Sequence, residues 1–202
     1  MFEPDVFILA DRALNYVVQQ IDDDQWDLSI PEWIRVGRVS REGLTLRALI
    51  NYHAYDESWV PDILASRTMA EVGLTKWKDE DLLGGNAKVS FTAIVERAVA
   101  AAANVTPQQL TQTAHLSFGD FTIQEYFWQI SQFRAFRAYE FAVLVGADPT
   151  LPDDLVRGLW DQLQPHVEQW RAIGVFGAAI DVPEIASLQD KLLALAGRDP
   201  YR

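Results

Sequence analysis

Apolar residues return every three or four positions through the first twenty residues, at Val6, Ala10, Ala13, Leu14, Val17 and Ile21. With Pro4 at a favourable first helical position and the acidic run Asp22, Asp23 and Asp24 beyond, this period predicts a helix over roughly residues 4 to 22. Leu46, Leu49, Ile50, His53, Val60 and Leu64 form a second helical stripe starting near Leu44; Pro61 falls late in it and implies a kink or an early end. Val89, Phe91, Ile94, Val95, Ala98 and Val99, followed by an alanine run, form a third helix of high propensity. Thr122 and Glu125 have capping-box spacing, and the long helix they open runs to Gly146, a plausible C-cap. Thr150, Pro152 and Asp153 open a fifth helix ending near Gly174, and Ser187 to Ala196 reads as a terminal helix.

The connections carry their own signals. Residues 25 to 43 hold Pro31, two glycines and no sustained period, and Trp26, Ile30, Trp33 and Ile34 call for an ordered, partly buried loop. Residues 65 to 87 form a second connection, closed by Gly84, Gly85 and Asn86. Thr106 and Pro107 suit the start of a short turn, and residues 115 to 122 an extended turn in which Gly119 permits a positive φ. Residues 175 to 186 read as a loop or short strand. The expected fold is therefore all-α: one domain over residues 1–202, a helical bundle with long ordered connections and an additional C-terminal helical segment.

One helix breaks the apolar rule. Ile123, Phe127, Ile130, Arg134, Arg137, Phe141 and Leu144 make a continuous stripe at alternating spacings of four and three. A guanidinium cannot lose its proton, so an arginine pointed into a bundle must meet carboxylates, carbonyls, water or an anionic ligand. Two readings stay open. Arg134 and Arg137 pair with Glu140, Asp56 or Glu57, or snorkel past Phe133 and Phe136 to water; or they line a pocket that accepts an anion.

Composition narrows the function classes. With Lys+Arg 17 against Asp+Glu 29 and a formal net charge of -12 over 202 residues, a phosphate-tracking basic surface is not expected, so no nucleic-acid partner is expected. Cys 0 excludes disulfides, thiolate metal sites and a cysteine nucleophile. The start lacks a basic region followed by an apolar run, and no apolar stretch is long enough to span a bilayer, so a cytoplasmic location and no membrane partner are expected. His53, His115 and His166 show no metal-binding spacing, and His53 reads as a hydrogen-bonded core residue near Tyr52, Asp56 and Trp59. Ser117 and Ser131 have no activating histidine at a fixed distance, and neither a nucleophile elbow nor a Walker A or dinucleotide glycine motif occurs.

Taken together, ALNYVVQQIDDDQW, LTLRALINYHAYDESWVPDILAS, TAHLSFGDFTIQEYFWQI, VGADPTLPDDLV and LLALAGRDP resemble the DinB-like proteins of the mycothiol-dependent maleylpyruvate isomerase type, from about Ala10 to Pro200. The resemblance implies a four-helix bundle, an actinobacterial origin, and a divalent zinc or nickel ion held by three histidines. In that family the first histidine follows the Asn of an L-x-N-H segment, and the other two form an H-x-x-H pair on the long helix. Laid onto this chain, those positions are Tyr52, Arg134 and Arg137, so all three ligands are replaced and no metal cofactor is expected; His53 is one residue, about 100° of helix, out of place.

The resulting expectation is a metal-free member of that superfamily, with Tyr52, His53, Asp56, Arg134, Arg137 and Glu140 around a central site. That site binds a small anionic molecule or is closed by an internal salt-bridge network. The alternative is a small-molecule transferase or isomerase acting in detoxification or secondary metabolism, with the arginines binding a substrate carboxylate and Tyr52 or His53 moving a proton. A third expectation is a homodimer formed through Trp160, Trp170, Phe176 and the GVFGAAI segment.

Overall fold

The computed structural model of the chain describes residues 1–37, 39–73 and 75–202. Arg38 and Leu74, which belong to the two long connections, lie outside the described residues. Eight α-helices and one hairpin are present among the described residues: α1 Glu3–Gln20, α2 Leu46–Leu64, α3 Met69–Val72, α4 Ala87–Ala103, β1 Thr113–Leu116, β2 Gly119–Thr122, α5 Ile123–Val145, α6 Asp153–Leu163, α7 Val167–Ala172 and α8 Leu188–Leu195. The protein is thus predominantly α-helical, and among the described residues no helix is long and apolar enough to cross a membrane.

Local chemistry sets the long helices. The Thr45 hydroxyl accepts from the Ala48 N–H at 3.2 Å to start α2, and Asn86 caps α4 by accepting from the Val89 N–H at 3.2 Å. Thr122 and Glu125 form the expected reciprocal box: the Thr122 N–H donates to the Glu125 carboxylate at 2.8 Å, and the Glu125 N–H to the Thr122 hydroxyl at 3.1 Å. Gly146, with φ of 74°, ends α5 in the left-handed region that glycine adopts at least cost. Pro61 stands inside α2, where it offers no N–H to the Glu57 carbonyl one turn back, and the helix ends three residues later, at Leu64.

Three sequence expectations need correction. The fifth helix does not run unbroken to Gly174; it splits into α6 and α7 around Pro165, whose ring cannot donate to the preceding turn. The 65 to 87 connection contains α3, opened by a Thr68 and Glu71 capping box. Residues 113–122 form a true hairpin, with Thr113 opposite Thr122 and Ala114 opposite Phe121.

The long helices pack α5 on α1, α1 on α4 and α4 on α2. The backbones of α2 and α5 barely approach one another, and side chains bridge the space between them. The apolar interior accordingly divides into two clusters. One contains Leu14, Ile50, Ala54, Phe136 and Phe141; the other contains Phe7, Trp59, Val60 and Phe127. On α1, α2 and α5 the ionisable residues Asp11, Glu57 and Arg134 fall between members of the two clusters, and His53 and Arg137 fall within the larger one. Trp160 and Trp170 pack against the larger cluster and Phe176 is buried in it, so these aromatics cover the chain's own core.

Candidate functional site

Helix period puts His53 and Glu57 one turn apart on α2, and Arg134, Arg137 and Glu140 at successive spacings of three on α5. α1 contributes Asp11. All six are buried, with Arg134 at 0% and Arg137 at 2% relative exposure, so neither arginine snorkels to water. Nor is α5 a one-sided stripe: Tyr126, Ser131, Gln132, Ala135, Ala138 and Tyr139 are buried too.

At one end of the site Arg134 donates from Nε to Glu57 and from Nη1 to the Ile130 carbonyl at 3.1 Å, while an Asp11 oxygen stands 3.6 Å from Nε. The guanidinium also lies over the Phe7 ring, 5.2 Å from its centroid. Against the pull of burial, Glu57 and Asp11 hold Arg134 above its ordinary value. Burial, reinforced by Glu57 and opposed by Arg134, pushes the Asp11 carboxyl well above the usual range and so favours its protonated form. Tyr126 is buried beside this group and is pushed upward by burial. The Asp11 carboxyl has Glu57 as a side-chain hydrogen-bond neighbour, whereas Arg134 Nη2 and Ser131 Oγ lack a hydrogen-bond partner among the described residues.

At the other end Arg137 uses all three of its nitrogens. Nε donates to His53 Nε2 at 3.0 Å, Nη1 to Glu140 at 2.7 Å and Nη2 to the Arg35 carbonyl at 2.8 Å. His53 therefore accepts at Nε2 and carries its proton on Nδ1. Burial, then Arg137 and Arg134, lower its pKa well below the ordinary histidine value. Its ring stacks on Phe133 at 4.6 Å and meets Phe141 edge-on at 6.0 Å. The second Glu140 oxygen accepts from Arg198 Nε at 2.9 Å, and the Arg198 guanidinium lies 4.2 Å from the Phe136 ring centroid. Arg198 is one residue that sequence reasoning missed.

Of the six predicted site residues, His53, Arg134, Arg137 and Glu140 come together, Tyr52 acts electrostatically on Arg137, and Asp56 makes no hydrogen bond or ion pair with either arginine. Tyr52 is 38% exposed and lines a surface groove of about 730 Å³ with Asn51, Tyr55 and Trp77. One residue turns its side chain by about 100° from that of His53. Asp56 is half-buried and makes no ion pair with either arginine. Burial pushes its carboxyl up to about 7, with Arg134 opposing and Glu57 adding to the shift.

The resemblance to metal-binding bundles can be tested on donor chemistry. Its ligand positions are occupied by Tyr52 and two guanidiniums, and guanidinium nitrogens donate hydrogen bonds but offer no lone pair to a cation. These residues do not fit a divalent metal. Among the described residues no group of three His, Cys, Asp or Glu side chains is arranged to hold one. A scan against protein-family models, a search of curated proteins and a search of solved structures each found no match.

Proposed function

We propose that this chain is a metal-free DinB-like protein of the maleylpyruvate isomerase type, a four-helix bundle of α1, α2, α4 and α5 that acts as a binding protein for a small anion. Its centre is closed by an internal arginine–carboxylate network. One observation carries the reading: the arginines at the family's metal positions are both buried, and protein groups take up the donors of Arg137 and the Nε and Nη1 donors of Arg134. The same geometry works against a transferase or isomerase centred there, because His53 Nε2 is already engaged by Arg137 and its low pKa disfavours a cationic acid form.

Metal content of tag-free protein by plasma mass spectrometry, with thermal shifts in zinc, nickel and manganese, tests the proposal. Less than about 0.1 equivalent and no shift is expected. Near one equivalent of zinc or nickel overturns it and restores thiol-dependent transfer as the leading reading.

A further inference from the structure

Arg137 and Arg198 share the single carboxylate of Glu140, and these three side chains are 3%, 13% and 2% exposed. Two guanidiniums on one enclosed carboxylate leave a positive charge over, and neither can relieve it by losing a proton. Arg35 adds another. Its side chain makes no hydrogen bond or ion pair with any described residue, and it lies across Gly177, where a Cβ would collide with the guanidinium. Gly197, with φ of 72°, crosses the same place; a Cβ there would stand 2.9 Å from the Gly177 backbone. The C-terminal chain thus closes tightly beside Arg35.

The other arginines in this neighbourhood have partners. Arg171 pairs with Glu168 and donates to the carbonyls of Gly177 at 2.9 Å and Leu195 at 2.7 Å. Arg41 donates to the carbonyls of Pro31, Glu32 and Ile34, and Arg202 faces Asp199 at 4.0 Å. Charge without a carboxylate of its own therefore sits on the exposed Arg35, on Arg41 and on the Arg137–Arg198 pair, in a chain whose net charge is -12. Arg198 engages Glu140 through Nε and the Ala196 carbonyl through Nη1, at 3.3 Å, which leaves its Nη2 donors without a described partner.

We propose that Arg35 and Arg198 form the mouth of a binding site for a small oxyanion, a carboxylate or phosphate group, set against the Glu140-linked arginines. Planar forks of this kind match both oxyanions in two-point hydrogen bonding. The proposal deepens the binding-protein reading and rests on it. It also moves the ligand away from the Arg134–Arg137 midpoint, where the sequence alone put it.

Thermal unfolding in sodium phosphate and in sodium succinate, against sodium chloride at matched ionic strength, tests it. Phosphate stabilises most proteins by exclusion, so the readout is the saturable component. A saturable shift with either oxyanion is expected, with apparent affinity at least ~10-fold weaker in Arg35→Met and unchanged in Arg97→Met, an exposed α4 position. A response to one salt alone identifies the phosphate or the carboxylate as the group bound. No saturable shift beyond chloride, or an Arg35→Met protein that responds like the parent, overturns the proposal. The metal assay is independent: bound metal defeats the family reading, whereas metal-free protein without an oxyanion response defeats only this site.

Discussion

The two ends of the buried network solve the same problem in opposite ways. Around Arg134 one guanidinium meets three carboxyl groups, those of Glu57, Asp11 and Asp56, and the surplus is negative. Proton binding relieves it: burial favours the protonated form of Asp11, and the Asp56 carboxyl is pushed up to about 7. Around Arg137 two guanidiniums meet one carboxylate, and the surplus is positive. No proton can leave an arginine at ordinary pH, so carbonyl oxygens and the faces of Phe133, Phe141 and Phe136 carry part of the load. Buried acids adjust to their surroundings, whereas buried arginines must be matched by something else.

The sharpest way to break this comparison is to remove the carboxylate at the arginine-rich end. Glu140→Gln leaves Arg137 and Arg198 enclosed together without a counter-charge, and is expected to lower stability by about 3–5 kcal/mol. Urea midpoints at pH 7 check it, with the slope held constant. At the acid-rich end the corresponding change should do less. In Glu57→Gln, Asp11 can release its proton and take over as the partner of Arg134, so a loss of about 1–3 kcal/mol is expected. The double variant Glu57→Gln/Asp11→Asn removes that substitute, and its loss should exceed the sum of the two single losses. Equal losses for Glu140→Gln and Glu57→Gln, with additive doubles, would mean that the two ends do not differ.

The arginines at the centre were legible in the sequence because they interrupt an apolar period, and the caps of α5 because Thr122, Glu125 and Gly146 act locally. Their partners were less so. Asp11 follows Phe7 by four and precedes Leu14 by three, the same pattern that exposed Arg134, but it stands among several acids early in the chain. Arg198 follows α8 in a segment with no period, and only the folded chain brings it to Glu140. The break at Pro165 was missed because apolar spacing continues from α6 into α7, and periodicity reports which face is buried, not whether the backbone is continuous. Tyr52 was placed in the site by alignment to a ligand position; it lines the groove and also acts electrostatically on Arg137.

A pH series sharpens the acid-rich end further. The folded-state pKa of Asp56 is raised, from 3.8 to about 7, so its contribution to stability is fully present below pH 3.8 and is lost as pH rises toward 7. Asp56→Asn removes that loss. The variant should match the parent near pH 4 and exceed it by about 1–2 kcal/mol at pH 8, less than the full shift implies because the side chain keeps some solvent. His53 acts with the opposite sign in both proteins: its folded pKa is depressed, so stability falls as pH drops below 6.5, and taking the difference between variant and parent cancels it. A difference that does not grow with pH would show that Asp56 is ionised and solvated in the native protein.

The smallest expected effect separates the two ends most directly. Asp11 is fully buried on α1, 3.6 Å from Arg134, and on distance alone it looks like half of a buried ion pair, whose breakage would be worth several kcal/mol. If Asp11 already holds a proton in the folded chain, then Asp11→Asn exchanges one neutral group for another of nearly the same shape and spares folding the uptake of a proton, so the variant should lose no stability at pH 7. The charge of Arg134 stays matched by Glu57 in that variant. The parent should also lose stability relative to Asp11→Asn as the pH rises above 3.8, because its unfolded chain gives up the carboxyl proton there while the folded chain holds it. A loss of about 3 kcal/mol or more at pH 7 would instead make Asp11 an ionised partner of Arg134, and the acid-rich end would then hold its surplus as charge rather than as bound protons.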